Sequence, residues 1–213
     1  MSDSHTTSSE PEQPITSLET AVCIVGAGPG GAILAFLLAR AGIQVTLLEA
    51  QDDFERDFRG DTIHPSVLHL MDELGLAERL LQLRHSKIYT AMFATPEGPL
   101  TVFDFRRVEK KFPFIMMVPQ SQFLEFITNE AKRYPNFRLV MGASVQELIE
   151  EGGVVRGVRY RSDKEQHEIR ATLTVGADGR SSRVRKLAGF EPVKTSPPMD
   201  VLWFRIPRKA GGS

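Results

Sequence analysis

The feature that most constrains the fold of this chain is a glycine-rich turn at Gly26–Gly31, with the spacing G-x-G-x-x-G. It follows the apolar run Ala21–Val25, which predicts a buried strand, and precedes Ala32–Arg40, which predicts a buried helix. A second strand is predicted over Gln44–Leu48, which completes a strand–helix–strand unit with a right-handed, parallel connection. This order of segments predicts an α/β fold with a parallel central sheet.

Each glycine of the turn has a separate physical reason. Gly26 permits the tight turn, Gly28 lets the backbone approach a diphosphate, and Gly31 lets the helix pack closely on the strand. Pro29 and Gly30 lie at the helix start, where unpaired N–H groups and the positive end of the helix dipole attract phosphate. The turn therefore predicts a Rossmann-like dinucleotide site.

A carboxylate follows the second predicted strand. Glu49 lies 18 residues after Gly31, where a carboxylate can accept hydrogen bonds from ribose hydroxyl groups. It would repel a 2′-phosphate, so NADP is disfavoured in this site. FAD and NAD both remain compatible with the turn.

The rest of the chain adds helices and antiparallel strands to this unit. Helices are predicted over His64–Gly75, Pro119–Arg133 and Arg183–Ala188. An inserted pair of strands is predicted over Lys87–Ala94 and Leu100–Phe105, and a hairpin over Ser144–Glu150 and Val154–Arg161. Single strands are predicted over Phe137–Met141, His167–Val175 and Met199–Pro207.

Composition excludes several classes of function. With a net charge of −1, the chain has no long-range field that favours nucleic acid, and the apolar run Ala32–Ala39 is too short to span a membrane. The single cysteine, Cys23, excludes an internal disulfide and suits a reducing compartment. His64 and His69 do not have the spacing of a zinc helix. We expect a cytoplasmic protein without a metal, a nucleic-acid partner or an integral membrane segment.

A second motif follows the strand predicted over His167–Val175. The segment Gly176–Arg185 reads G-A-D-G-R-S-S-R-V-R, with Asp178 and Gly179 on a turn beside basic residues that suit phosphates. Together with the first turn, it resembles the class A flavoprotein monooxygenases, the para-hydroxybenzoate hydroxylase-like family, over about residues 20–207. Because an NAD dehydrogenase would not need this second loop, it favours FAD over NAD.

The resemblance implies further cofactor contacts. Asp178 and Gly179 match the family's loop at the pyrophosphate and ribityl part of FAD. Arg59, ahead of the helix predicted to begin at His64, and Gln122, at the start of another helix, match residues that contact FAD in the family. Gln120 is the second choice for the glutamine.

The resemblance also implies a reaction. In the family, NAD(P)H reduces the flavin, O2 then forms a C4a-hydroperoxide, and that species hydroxylates an aromatic, often phenolic, small molecule. We find no acid–base dyad or triad, so no catalytic residue is nominated. The alternatives are an FAD-binding reductase, a non-catalytic FAD-binding module and an NAD-dependent dehydrogenase.

The resemblance divides the chain into three parts. These are a disordered leader over 1–19, an FAD-binding domain over 20–190 with inserted strands around 87–118, and the start of a substrate-binding β-sheet over 191–213. Family members are longer and carry a third, Gly-Asp motif that has no match here. We therefore expect an incomplete enzyme whose C-terminal half is supplied by self-association or by a partner chain.

Overall fold

The computed structural model describes residues 16–55 and 61–193. Arg59 and the strand predicted over Met199–Pro207 lie outside these residues. Of the described residues, 16–53 and 130–189 form one compact unit, and 54–55, 61–129 and 190–193 form a second.

Five α-helices and eleven β-strands are assigned within the described residues. In chain order they are β1 (Thr16–Val25), α1 (Pro29–Arg40), β2 (Val45–Leu48), β3 (Thr62–Ile63), α2 (Pro65–Glu73), α3 (Ala77–Leu80), β4 (Ser86–Ile88), β5 (Thr90–Thr95), β6 (Gly98–Asp104), β7 (Ile115–Met117), α4 (Gln120–Ala131), β8 (Phe137–Val140), β9 (Ser144–Glu151), β10 (Val154–Ser162), β11 (Glu165–Gly176) and α5 (Arg183–Leu187).

The first unit is built on a six-stranded sheet. Its strand order is β8–β2–β1–β11–β10–β9, and the first four of these strands are parallel. The predicted hairpin of β9 and β10 is confirmed, and it extends the sheet in antiparallel orientation beyond β11. The predicted α/β fold with a parallel central sheet is therefore confirmed, with an antiparallel edge that makes the whole sheet mixed.

Small and apolar residues bring α1 onto this sheet. The helix packs against β1, β2 and β8 through a buried face that includes Gly31, Ala35 and Phe36. Beneath it, Cys23 and Ile24 of β1 are fully buried, as expected for a strand covered on both faces. Burial raises the pKa of the Cys23 thiol to about 12, so the thiol is neutral and is a core residue, not a nucleophile.

Two boundaries in the first unit differ from the prediction by three residues or more. β1 begins at Thr16, within the predicted leader, because its polar first half pairs in parallel with β11 from Thr16 opposite His167 onward. The helix α1 begins at Pro29, three residues earlier than predicted, because the fixed φ angle of proline suits the first turn of a helix.

The second unit contains two small sheets and three α-helices, one of them only in part. The predicted helices over 64–75 and 119–133 are confirmed as α2 and α4, and the last two residues of α4 belong to the first unit. The inserted strand pair forms as β5 and β6. The first residues of the predicted pair, from Lys87 onward, belong to the separate short strand β4. That short strand pairs with β7, which also pairs with β3, in a sheet that the sequence pattern did not indicate. Among the described residues, no helix is both long and apolar enough to cross a membrane.

Candidate cofactor site

The two sequence motifs meet at one edge of the parallel sheet. Val25, Leu48 and Gly176 occupy matching positions at the carboxyl ends of β1, β2 and β11. The chain adds β2 and β8 on one side of β1, whereas β11 lies on its other side. Ligands of open α/β sheets bind at such a reversal of strand order, outside the carboxyl ends of the strands.

The first glycine is required by close contact with the second motif. Gly26 has a φ of 103°, which favours glycine, and its N–H donates to the carbonyl of Leu48 at 2.7 Å. A Cβ atom on Gly26 would lie 2.5 Å from the carbonyl oxygen of Ala177. The amide of Ala177 in turn donates to the carbonyl of Val25 at 2.7 Å. The loops after β1 and β11 therefore rest directly on each other.

The other glycines of the turn fall into two groups. A Cβ atom on Gly31 would lie 2.0 Å from the carbonyl oxygen of Gly26, so this position needs glycine for packing. A Cβ atom on Gly28 or Gly30 would meet no heavy atom of the described residues within 4 Å. Gly28 is also the N-cap of α1, where no side chain caps the helix, and Pro29 follows it. The start of α1 thus presents backbone amides beside open space, as an anion site requires.

The carboxylate of Glu49 holds the turn from the side of β2. Its Oε2 atom accepts a hydrogen bond from the buried amide of Ala27 at 2.9 Å, and its Oε1 atom accepts one from the amide of Gln51 at 3.1 Å. Glu49 is itself buried, at 5% exposure. The predicted carboxylate therefore lies beside the glycine turn and fixes one of its peptides.

The carboxylate of Asp178 turns toward α5. Its Oδ1 atom accepts from the Ser182 hydroxyl at 2.5 Å, and its Oδ2 atom accepts from the amides of Arg183 at 2.6 Å and Val184 at 3.1 Å. Gly179 is exposed with a φ of 80°, and a Cβ atom there would meet no heavy atom. The second loop therefore borders the first through its backbone, while the aspartate caps a helix.

The sequence analysis missed three residues that shape this site. Ala27 and Ala177 act through their backbone groups, so no side-chain pattern could single them out. Ser182 is the N-cap of α5, where its hydroxyl also accepts from the amide of Arg185 at 2.9 Å. A serine just before a short basic helix is a recognisable capping signal, and it could have been identified from the sequence.

Gln120 and Gln122, the two glutamine candidates, lie in the second unit. Gln122 is half-buried in the first turn of α4. The amide of Gln120 donates to the Oδ1 atom of Asp61 at 3.2 Å. This buried aspartate therefore accepts a hydrogen bond from the first residue of α4. The structure thus brings together the glycines, Glu49 and the Asp178 loop, whereas a cofactor role for Gln122 stays a prediction.

Comparison with known proteins gives one family for almost the whole chain. Residues 19–211 match the family described as FAD binding domain. A 6-methylpretetramide 4-monooxygenase of Streptomyces rimosus is 35% identical over 199 residues, which cover 92% of this chain and 47% of the relative. Squalene epoxidase 5 of Arabidopsis thaliana is 33% identical over 171 residues, which cover 78% of this chain and 33% of the relative. The chain therefore spans half or less of the length of these relatives.

A solved structure agrees with the sequence comparison. The anhydrotetracycline hydroxylase of Streptomyces rimosus superposes with a TM-score of 0.70 and 29% identity, covering 84% of this chain and 36% of that one. The predicted Rossmann-like fold and the resemblance to FAD-dependent monooxygenases are both confirmed by these matches.

Proposed function

The chain belongs to the family of FAD binding domains, and we propose that it is the FAD-binding N-terminal part of a monooxygenase that hydroxylates a small aromatic molecule. One observation supports the cofactor assignment most strongly. Gly28 and Gly30, the glycines that would face a diphosphate, lie beside open space. At Gly26 and Gly31, neighbouring backbone atoms occupy the space that a side chain would need. A Cβ atom at Gly28 or Gly30 would project into the space that the ligand needs.

In this proposal the start of α1 binds the diphosphate of FAD. The helix has twelve residues, so its aligned peptide dipoles contribute about half a positive charge at this end. The first-turn amides, at Gly30 and Gly31, add directed hydrogen-bond donors. The N-cap residue Gly28 has no side chain to cap the helix, so it leaves these donors to the phosphate.

Glu49 and the second loop hold the cofactor on either side of the diphosphate. The carboxylate of Glu49 accepts from the adenosine ribose while keeping its bond to the Ala27 amide, because each carboxylate oxygen can accept two hydrogen bonds. The backbone of Asp178 and Gly179 lies along the cofactor, from the diphosphate toward the ribityl chain. Arg59 and Gln122 are proposed as further contacts on the basis of the family resemblance.

When bound, FAD would supply the redox chemistry, in which two electrons from NAD(P)H and one O2 place one oxygen atom in the substrate and release the other as water. The described residues bind and orient the cofactor. An aromatic substrate is supported by the resemblance to the class A enzymes. The squalene epoxidase relative makes an alkene the second candidate. The remaining substrate-binding surface is proposed to come from a further segment or a partner chain, and the single buried cysteine supports a cytoplasmic location.

The cofactor proposal is tested by Gly28→Val. Because a Cβ atom at Gly28 meets no heavy atom of the described residues within 4 Å, the variant should fold normally, yet its side chain should occupy the space of the diphosphate. We expect the wild-type protein to bind FAD, measured by quenching of flavin fluorescence, and Gly28→Val to lose this binding. Ala41→Val, at the exposed opposite end of α1, is the matched control and should bind FAD as the wild type does.

Three results would contradict the proposal in different ways. FAD binding by Gly28→Val that equals the wild type would exclude the glycine turn as the diphosphate site. Binding of NAD without FAD would establish the dehydrogenase alternative. FAD binding with NAD(P)H oxidation that no phenol or alkene stimulates, measured on the protein together with the proposed further segment or partner chain, would favour the reductase.

A further inference from the structure

The second loop is attached to the protein at two points. At its first end, the amide of Ala177 donates to Val25, and the loop backbone rests against Gly26. At its second end, the carboxylate of Asp178 accepts three hydrogen bonds from the start of α5. The position of this loop beside the glycine turn therefore depends on how the Asp178 side chain is held.

We propose that Ser182 is a positioning residue for cofactor binding, which acts by orienting the Asp178 carboxylate. This inference rests on the proposed FAD site. Ser182 is buried, at 7% exposure, and its hydroxyl donates its one proton to Asp178 while accepting from the amide of Arg185 at 2.9 Å. Because both the donor and an acceptor position of the hydroxyl are used, its rotamer is fixed, and it fixes the carboxylate in turn.

The helix that carries Ser182 is anchored in the core of the first unit. Val184 belongs to the buried cluster that includes Cys23 and Val25. A Cβ atom on Gly176 would lie 2.9 Å from Cγ1 of Val184, so α5 packs directly on the end of β11. The loop beside the glycine turn is therefore connected to the core through α5, Ser182 and Asp178.

These contacts change the role assigned to Asp178. A carboxylate has about four acceptor positions, and three of those on Asp178 are already used within the protein. Its charge also lies against the positive end of α5, which favours the present orientation. Asp178 therefore acts chiefly by holding the loop backbone in place, and the loop presents Gly179 and the neighbouring peptides to the cofactor.

The test measures FAD affinity in Ser182→Ala, with the exposed neighbour Ser181→Ala as the matched control. Loss of a hydrogen bond to a charged group leaves the loop less ordered before binding, so we expect about fivefold to tenfold weaker FAD binding in Ser182→Ala. Ser181→Ala should match the wild type. Ser182→Gly removes the same hydroxyl but keeps a residue that is well tolerated at an N-cap, so it should give the same loss if the alanine variant folds poorly.

A double-mutant cycle with Asp178→Asn separates positioning from general stability. If Ser182 acts through Asp178, the double variant should bind FAD within about twofold of Asp178→Asn alone. Additive losses, or unchanged affinity in both Ser182 variants, would overturn the inference. A wild-type protein that does not bind FAD would instead overturn the proposed function, so the two failures are distinguishable.

Discussion

Adding one carbon atom at two glycines of the same turn should change stability to very different extents. In Gly31→Ala, the new Cβ atom would lie 2.0 Å from the carbonyl oxygen of Gly26 and 3.2 Å from the Cβ atom of Ala177. Ordinary carbon–oxygen contacts are about 3.3 Å or longer, so the backbone must shift by about 1.3 Å. In Gly28→Ala, the new atom meets nothing within 4 Å, and the φ of −66° is one that alanine adopts readily.

The expected cost follows from these distances. Overpacking against fixed backbone lowers the unfolding free energy by about 3 kcal/mol, the upper end of the usual range. The higher helix propensity of alanine offsets about 1 kcal/mol of this loss. Gly31→Ala should therefore lose about 2 kcal/mol of unfolding free energy. Gly28→Ala loses about 1 kcal/mol as a poorer N-cap and regains about 0.4–1 kcal/mol from the less flexible unfolded chain, so it should be nearly neutral.

Thermal unfolding without added cofactor measures this difference. For a chain of this size, 2 kcal/mol corresponds to a decrease in Tm of about 4–8 °C. We expect that decrease for Gly31→Ala and a change of less than about 2 °C for Gly28→Ala. Equal Tm values for the two variants would refute the assignment of one glycine to packing and the other to ligand space.

Two further predictions concern buried groups of the first unit. Glu49→Ala should lose about 1.5–3 kcal/mol in urea unfolding, because the buried amide of Ala27 loses a charged acceptor, and Glu49→Gln, which keeps one acceptor oxygen, should lose less; equal stability of all three proteins would contradict this role. The Cys23 thiol should not react with a thiol reagent at pH 8 until the protein unfolds. Since burial raises its pKa to about 12, only the unfolded state ionises as the pH rises from about 9, so stability should fall over that range. The fall should be smaller in Cys23→Ala, where other groups such as Tyr160, whose pKa burial also raises, still contribute.

The sequence predicts the centre of this fold well because the pattern there is local. Ala21–Val25 and the glycine turn follow each other directly, so strand, turn and helix could be placed without knowledge of the rest of the chain. The start of β1 at Thr16 could not be placed in this way. Its polar residues pair with β11, about 150 positions later, and such long-range pairing leaves no strand signal in residues 16–20 themselves.

The site was predicted at the level of motifs and less well at the level of contacts. Glu49 lies beside the turn as its spacing indicated, but its bond to Ala27 involves a backbone amide that any residue provides. Asp178 is predicted from the resemblance to contact the cofactor, and this stays a prediction; in the structure its carboxylate accepts hydrogen bonds at the start of α5. The motif alone does not distinguish these roles, because a carboxylate suits both a helix start and a ligand hydroxyl.

The most direct measurement is a crystal structure of the protein grown with FAD. The account predicts diphosphate oxygens within about 3.2 Å of the amides that open α1, with the adenosine ribose at Glu49 and the Gly176–Gly179 backbone alongside. Electron density for the cofactor away from that helix, or a 28–31 turn that closes against protein atoms when FAD is present, would contradict it.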